Sequence, residues 1–498
     1  MSKPRFLFPA DLNARMICLF FSMFLAACGA GSGEVTAAVA GEPSVGGGPA
    51  QGQDASVLQM SEAAAGSARA GAPEAGTREA GPPPAETSPA APFIDPRFFA
   101  LVKGWADTGG GRGGRIIRVT SLAASGPGTL RAAIDAEGPR IIVFETSGNI
   151  DLQGEILHIN RPYLTIAGQT APSPGITIIK GGIQTHTHDV IIQHIKIRPG
   201  TGAGAVADAL ETQRGSYNVI VDHCSLSWGT DEVLSAAGFA FHGADLSEWR
   251  AATSNRITFS NNIVAEGLTS NGQGYGSLME DNVTRILLYG NFYVHHKERS
   301  PNFGGATQGA VINNLIYNPG QKFLDYTFAK WKWDAEGGGQ NVTGMITAIG
   351  NVGRAGPSTR ANAFFETVSN GDVAYYALDN IASRLDGSSF PATAESTFLS
   401  NPQGRILAKA TPPLSPPDVT PIASAAVEKL IHDTAGARPW DRDDHDRRVL
   451  DDHRNRTGRI INSQSDVGGY PGSVVNVRPF NPALWDLDTM TPRSADAL

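Results

Sequence analysis

Cysteine is nearly absent: of three in 498 residues, Cys18 and Cys28 stand at the very start, so only Cys224 is available to a folded domain. That excludes a disulfide framework. There is no basic run, no aromatic platform and no Cys/His spacing of the zinc-finger kind, and the formal net charge is −8. Nucleic acid is therefore not an expected partner. The histidines are scattered without the tight Cys or Glu spacing that holds zinc. The apolar stretch from Met16 to Leu25 is too short for a stable membrane span.

What stands at the start is a leader. Lys3, Arg5 and Arg15 flank or precede the apolar stretch, and Leu25-Ala26-Ala27-Cys28 closes it. Residues 1–28 resemble a bacterial lipoprotein signal, in which Cys28 is lipidated and becomes the mature N-terminus; an ordinary secretory signal cut nearby is the alternative. Both readings predict an extracytoplasmic protein, secreted or lipid-anchored at the cell envelope. Residues 29–92 are Ala, Gly, Pro, Ser and Glu with almost no aromatic or β-branched side chains. Such a segment buries too little apolar surface to offset chain entropy, and a disordered tether is expected.

From residue 93 onward the pattern changes to short Val-, Ile- and Tyr-rich runs separated by Gly, Asn and Ser, the mark of strands and turns. Seven runs align: VIIQHI (190–195), VIVDHC (219–224), ITFSNN (257–262), ILLYGN (286–291), AVINN (310–314), ITAIGN (346–351) and YYALDN (375–380). Their starts recur irregularly, every ~20–40 residues, as in a coil-by-coil solenoid. Five of the seven end in Asn. One Asn at a strand end is an ordinary turn residue, but Asn262, Asn291, Asn314, Asn351 and Asn380 in register predict a hydrogen-bonded ladder along a parallel β-helix. The domain over 93–498 is thus expected to be all-β, a right-handed parallel β-helix. Near the C-terminus, Val427, Leu430 and Ile431 have helical spacing, and a helix ending near Gly436 followed by a charged surface segment is expected.

Candidate chemistry gathers on two successive coils. Asp208, Asp222, Asp231 and Glu232 lie on or beside adjacent expected strands. Parallel strands stand about 4.8 Å apart, so carboxylates from successive coils meet on one face, and a group of hard oxygen ligands suits Ca²⁺. On these residues the chain resembles the pectate lyases of the parallel β-helix superfamily. The resemblance is carried by Ala207-Asp208-Ala209-Leu210, VIVDHCS, Arg299-Ser300-Pro301 followed by VINNLIYN, the opening GWADTGGGRGGRIIRVTSLAASGPGTLRAAI and the closing RNRTGRIINSQSDVGGYP. It covers residues 93–475.

The resemblance implies calcium-dependent β-elimination on polygalacturonate, an acidic polysaccharide. It makes Asp208 a calcium ligand and Arg299 the catalytic arginine. Two roles are open for Arg299: it takes the C5 proton, or, because a free guanidinium has a pKa above about 12, it stabilises the enolate while water or hydroxide takes the proton. The family's second calcium motif has two acids four residues apart; Trp228 occupies the first acid's place here, which leaves Asp231 and Glu232 as further ligands. Adjacent residues on a regular strand face opposite ways, so both ligate only if a turn intervenes. The family's substrate-binding lysine falls at Gly274 or Tyr275, with Lys297 as a substitute, and a second arginine falls at Gly304. Tyr275, His296 and Lys297 are the expected substrate contacts. His295 and His296 either line the groove or sit on an exposed loop. Asp222 and His223 are read as support for the coil, and Cys224 as a buried packing residue. A monomer is expected.

Two other functions fit parts of this pattern. A polygalacturonase-type glycoside hydrolase would use Asp208, Asp231 and Glu232 as acid and base without metal. A non-catalytic glycan-binding β-helix would need none of this chemistry. Arg299 argues against both.

Overall fold

The computed structural model of the protein describes residues 95–204, 207–339, 342–395 and 404–498. The expected leader, with Cys28, and the tether over 29–92 lie outside the described residues.

Three parallel sheets of eleven, nine and nine strands each take, in spatial order, essentially every third strand of the sequence. Each coil therefore places one short strand in each sheet, which is a parallel β-helix. The right-handed sense is the rule for such parallel crossovers. All seven aligned runs are consecutive members of the eleven-stranded sheet, as strands 188–193, 217–222, 255–260, 284–289, 308–312, 344–349 and 373–378. The runs overshoot at their C-terminal ends because the last one or two residues make a turn.

That turn explains both columns of small polar residues. His223, Asn261, Gly290, Asn313, Gly350 and Asp379 all have φ between +48° and +65°, where Gly, Asn and Asp are least disfavoured. The ladder asparagine follows immediately. Asn262 Nδ2 donates to Asn291 Oδ1 at 3.0 Å, Asn291 to Asn314 at 3.0 Å, Asn314 to Asn351 at 3.0 Å and Asn351 to Asn380 at 2.7 Å. Its foot is Cys224, whose backbone N–H donates to Asn262 Oδ1 at 2.8 Å. Inside the coil Ile192, Val221, Phe259, Leu288 and Val311 stack in register and are fully buried. Asp222 and His223 are buried too. Asp222 accepts from Ser260 Oγ at 2.7 Å and Asn261 Nδ2 at 2.9 Å, and lies 2.7 Å from His223 Nδ1, in keeping with a supporting role.

Five α-helices are described: α1 (Leu130–Ile134), α2 (Leu246–Ala252), α3 (Lys330–Ala335), α4 (Val427–Thr434) and α5 (Asp444–Asn455). Helix α1 packs Leu130, Ala133 and Ile134 into the interior near its N-terminal end. Helix α4 is the expected one. The charged segment after it is not a surface segment: it forms α5, whose Val449 and Leu450 join Val427 and Ile431 against Ile263, Phe292 and Leu315 of the third sheet. Its buried charge is neutralised, since Arg198 pairs with Asp443 at 2.9 Å and Asp446 at 3.1 Å. Periodicity at 446, 449, 450 and 453 was masked by the density of Asp and Arg. No described helix is long and apolar enough to cross a membrane.

Candidate active site

The remaining nine-stranded sheet carries the expected site residues. Strands Leu210–Thr212, Leu234–Ala236, Leu278–Met279 and Asn302–Phe303 are neighbours in that order. Asp208, the pair Asp231 and Glu232, Tyr275 and Arg299 each stand in the turn leading into one of them. A site scattered over ninety residues of sequence thus becomes a column of four coils, each about 4.8 Å from the next.

Asp231 and Glu232 sit in a bend before the strand at Leu234, so strand alternation does not separate them. Ligand atoms of Asp208, Asp231 and Glu232 all lie within 4.8 Å of one another. Asp208 accepts the Glu232 backbone N–H at 3.1 Å and also the Ser235 hydroxyl. Ser235, four residues after Asp231, is thereby drawn against the same carboxylate. Trp228 stands apart from this cluster: its ring is buried and its Nε1 donates to Glu266 at 2.9 Å, on the side covered by α5.

The carboxylates are short of positive charge. Burial, then the negative charges of Glu211 and Asp231, hold the Asp208 carboxyl well above its ordinary value, and burial raises Asp231 as well. Glu211, one strand position beyond Asp208's turn, is pushed up to about 7, chiefly by burial. Asp443, His445 and Asp446 form another close group, but there the outcome is opposite: Arg198 and Lys196 overcome the effect of burial and hold Asp443 far below the usual carboxylate range. A cation is already supplied at Asp443. At Asp208 the donor set of carboxylate oxygens, close together and mutually repelling, fits a hard divalent ion.

Arg299 closes this cluster. Its guanidinium forms an ion pair with Glu232 and stacks on Tyr275, Cζ standing 3.8 Å from the ring centre. Tyr275 is thus a platform for the arginine, and burial pushes its hydroxyl up to about 12. The other expected contacts are placed differently. Lys297 Nζ donates to the Gly272 carbonyl at 2.6 Å and lies 3.6 Å from Glu298, which ties it to its own rim. His296 does not face the groove: it is fully buried, its Nε2 is 2.9 Å from the Val264 carbonyl, and its Nδ1 accepts the Gly267 N–H at 3.1 Å. Burial lowers its pKa to about 4, so it is a neutral brace between coils. His295 is equally buried, between Asn318 at 2.8 Å and Asp452 at 3.3 Å. Both histidines stand in the turn after strand Phe292–Val294, and neither is exposed.

Sequence reasoning missed Ser235, Glu211 and the Arg299–Glu232 pair. Glu211 was detectable as an acid between Leu210 and Thr212, where strand alternation turns it outward while its neighbours are buried.

No family model matches the chain. A curated protein named "Probable pectate lyase C" from Emericella nidulans is 34% identical over 262 residues, which is 52% of this chain and 53% of that protein. Its namesake from Neosartorya fischeri is 34% identical over 294 residues, 57% and 60% of the two chains. A solved structure described as pectate lyase bound to hexasaccharide aligns over 69% of this chain and 98% of its own, at 15% identity and a TM-score of 0.46. The chain spans about half the length of the first of these curated relatives. In sequence it is similar to proteins named pectate lyase, over roughly half of its own length and of theirs.

Proposed function

We propose that the protein is a calcium-dependent lyase that cleaves polygalacturonate by β-elimination outside the cytoplasm. The observation that carries this reading is the Asp208–Asp231–Glu232 cluster with Arg299 paired to Glu232 beside it. Asp208 and Asp231 would hold Ca²⁺, with Glu232 shared between the ion and Arg299. When bound, the ion neutralises the uronate carboxylate and so acidifies the adjacent C5–H. Arg299, already aimed by Tyr275 and Glu232, donates hydrogen bonds to the negative charge that develops as water or hydroxide takes the C5 proton. The electron pair forms the C4–C5 double bond, and the C4 oxygen leaves with the departing chain and is protonated. Buried His296 and the Asn ladder keep the coils in register beneath.

The test is to incubate the protein with polygalacturonate and Ca²⁺ and follow absorbance of the unsaturated product, with an EDTA control. Calcium-dependent absorbance supports the lyase. Reducing ends without absorbance would establish a hydrolase, and binding without product a glycan-binding protein.

Two further outcomes are expected. Asp208→Asn removes one charge from the cluster without changing its shape, and should weaken Ca²⁺ binding by at least about tenfold, read by calorimetric titration. Calcium should also raise Tm more at pH 8 than at pH 5. Glu211 binds its proton more tightly in the folded state than its ordinary 4.5, holding it to about 7. The stability this confers is complete below pH 4.5 and is lost as pH rises through 7. Asp208 and Asp231 shift in the same direction. The metal-free site is thus most repulsive at high pH, where a cation relieves most, and ligand carboxylates must be deprotonated to bind it. Equal Tm increments at the two pH values would contradict this assignment.

A further inference from the structure

The groove sheet has a second rim, at the opposite ends of its strands, built by α2 and α3. Both helices are inserted after groove strands, Leu234–Ala236 and Leu324–Phe328. Aromatic packing fixes them to each other: Phe241 lies 5.5 Å from Trp249 and 4.9 Å from Trp333, and Trp333 stacks on Phe328 at 4.6 Å. The residue beside the buried Trp333 is Lys332. Its Nζ lies 2.9 Å from Asp281 and 3.3 Å from Glu280, at the end of strand Leu278–Met279.

This ammonium sits across the groove from the carboxylate cluster. Met279 pairs with Ala236, so Glu280 is level with Ala237, two residues or about 7 Å along the strand from Ser235, which bonds Asp208. Along that span the acids Glu211, Glu280 and Asp281 line the way. A polyanion enters such a channel only where fixed positive charge offsets it. Arg299, paired with Glu232, and Lys297, bonded to the Gly272 carbonyl, supply positive charge at the first rim. Lysine has three N–H donors, and the carboxylates of Asp281 and Glu280 account for two. The side chain keeps 16% of its surface exposed. It is held by a packed helix, so little entropy is lost on contact.

We propose that Lys332 is a substrate-binding residue that takes the carboxylate of a uronate ring next to the one held at Asp208. A chain of uronate rings presents carboxylates on more than one side, and the two rims receive them from opposite sides. This rests on the polygalacturonate reading above.

The test is steady-state kinetics on polygalacturonate, with equilibrium binding of trigalacturonate, for wild type, Lys332→Met, Lys332→Arg and Glu280→Gln. Lys332→Met is expected to raise KM about tenfold with kcat within about twofold. Lys332→Arg is expected to restore KM to within about threefold of wild type. Glu280→Gln, which leaves Lys332 in place and removes one competing carboxylate, is expected to lower KM. A Lys332→Met protein with lower Tm but unchanged KM would overturn the proposal, as a merely structural ion pair predicts that result. Should Lys332→Met not fold, an unchanged or higher KM in Glu280→Gln overturns it instead. A wild type that neither cleaves nor binds trigalacturonate overturns the polygalacturonate reading together with this one, whereas failure of the inference alone leaves wild-type cleavage intact.

Discussion

Arg299→Ala is expected to lower turnover on polygalacturonate by about 10²–10³-fold, the usual consequence of losing one preorganised donor to developing negative charge. The guanidinium reaches this position by two independent supports, the ring of Tyr275 beneath it and the carboxylate of Glu232 beside it. Calcium binding should survive the substitution and become tighter, because Asp208, Asp231 and Glu232 lose the counter-charge that Arg299 supplies. That divergence separates a catalytic role from a structural one: a collapsed site would lose both. Arg299→Lys keeps the charge but not the planar fork or the stacking geometry, and should recover only a small part of the rate. Initial rates of unsaturated product and calorimetric Ca²⁺ titration of the same samples read both quantities. An Ala variant within about threefold of wild type would remove Arg299 from the chemistry.

Asn314→Leu is expected to cost about 4 kcal/mol of stability. Asn314 Oδ1 accepts from the Asn291 N–H at 2.9 Å and from its Nδ2 at 3.0 Å, while its own Nδ2 reaches the Leu288 carbonyl at 2.9 Å and Asn351 Oδ1 at 3.0 Å. Leucine has similar volume and satisfies none of these. At least two fully buried groups would be left without partners, each at about 1–3 kcal/mol. Asn380→Leu, at the solvent-facing end of the same stack, should cost much less because water replaces the lost partner. Denaturant midpoints of the two variants test the difference, and equal losses would mean that the ladder's burial is not what makes it stabilising.

Much of this architecture is legible in the sequence because a β-helix writes its period into the chain. The seven runs and the five ladder asparagines depend on neighbours at a fixed place in each coil, and such a requirement repeats visibly. Asp208, Asp231 and Glu232 were found as a dense group of acids on or beside adjacent expected strands, and Arg299 through the resemblance to the pectate lyases. What was hidden concerns direction and insertion. His296 and Lys297 are adjacent, yet one is buried between coils and the other lies on the rim; a turn with His295 at φ +60° decides that, and no side-chain pattern announces it. The role of Tyr275 depends on which residue lies one coil away, a distance of 24 positions in the chain but one strand spacing in space. Helix α5 was concealed by its own composition, since its buried face carries Asp446 and His453 beside Val449 and Leu450. Helix α3 interrupts the repeat, so a reading based on repetition had no reason to notice Lys332.

The stacking of one coil upon the next also separates two kinds of distance. Position along the axis is set by the strand pairs and the asparagine ladder, whereas the length of chain between successive coils is set only by how far a turn loops outward before returning. Segments as different as the direct turn at Ser300 and the excursions bearing α2 and α3 can hang from neighbouring coils without moving Asp208 or Arg299. Lineages carrying this scaffold can therefore vary their rims by lengthening or exchanging loops, leaving the reacting column untouched, and substrate preference is free to change faster than chemistry.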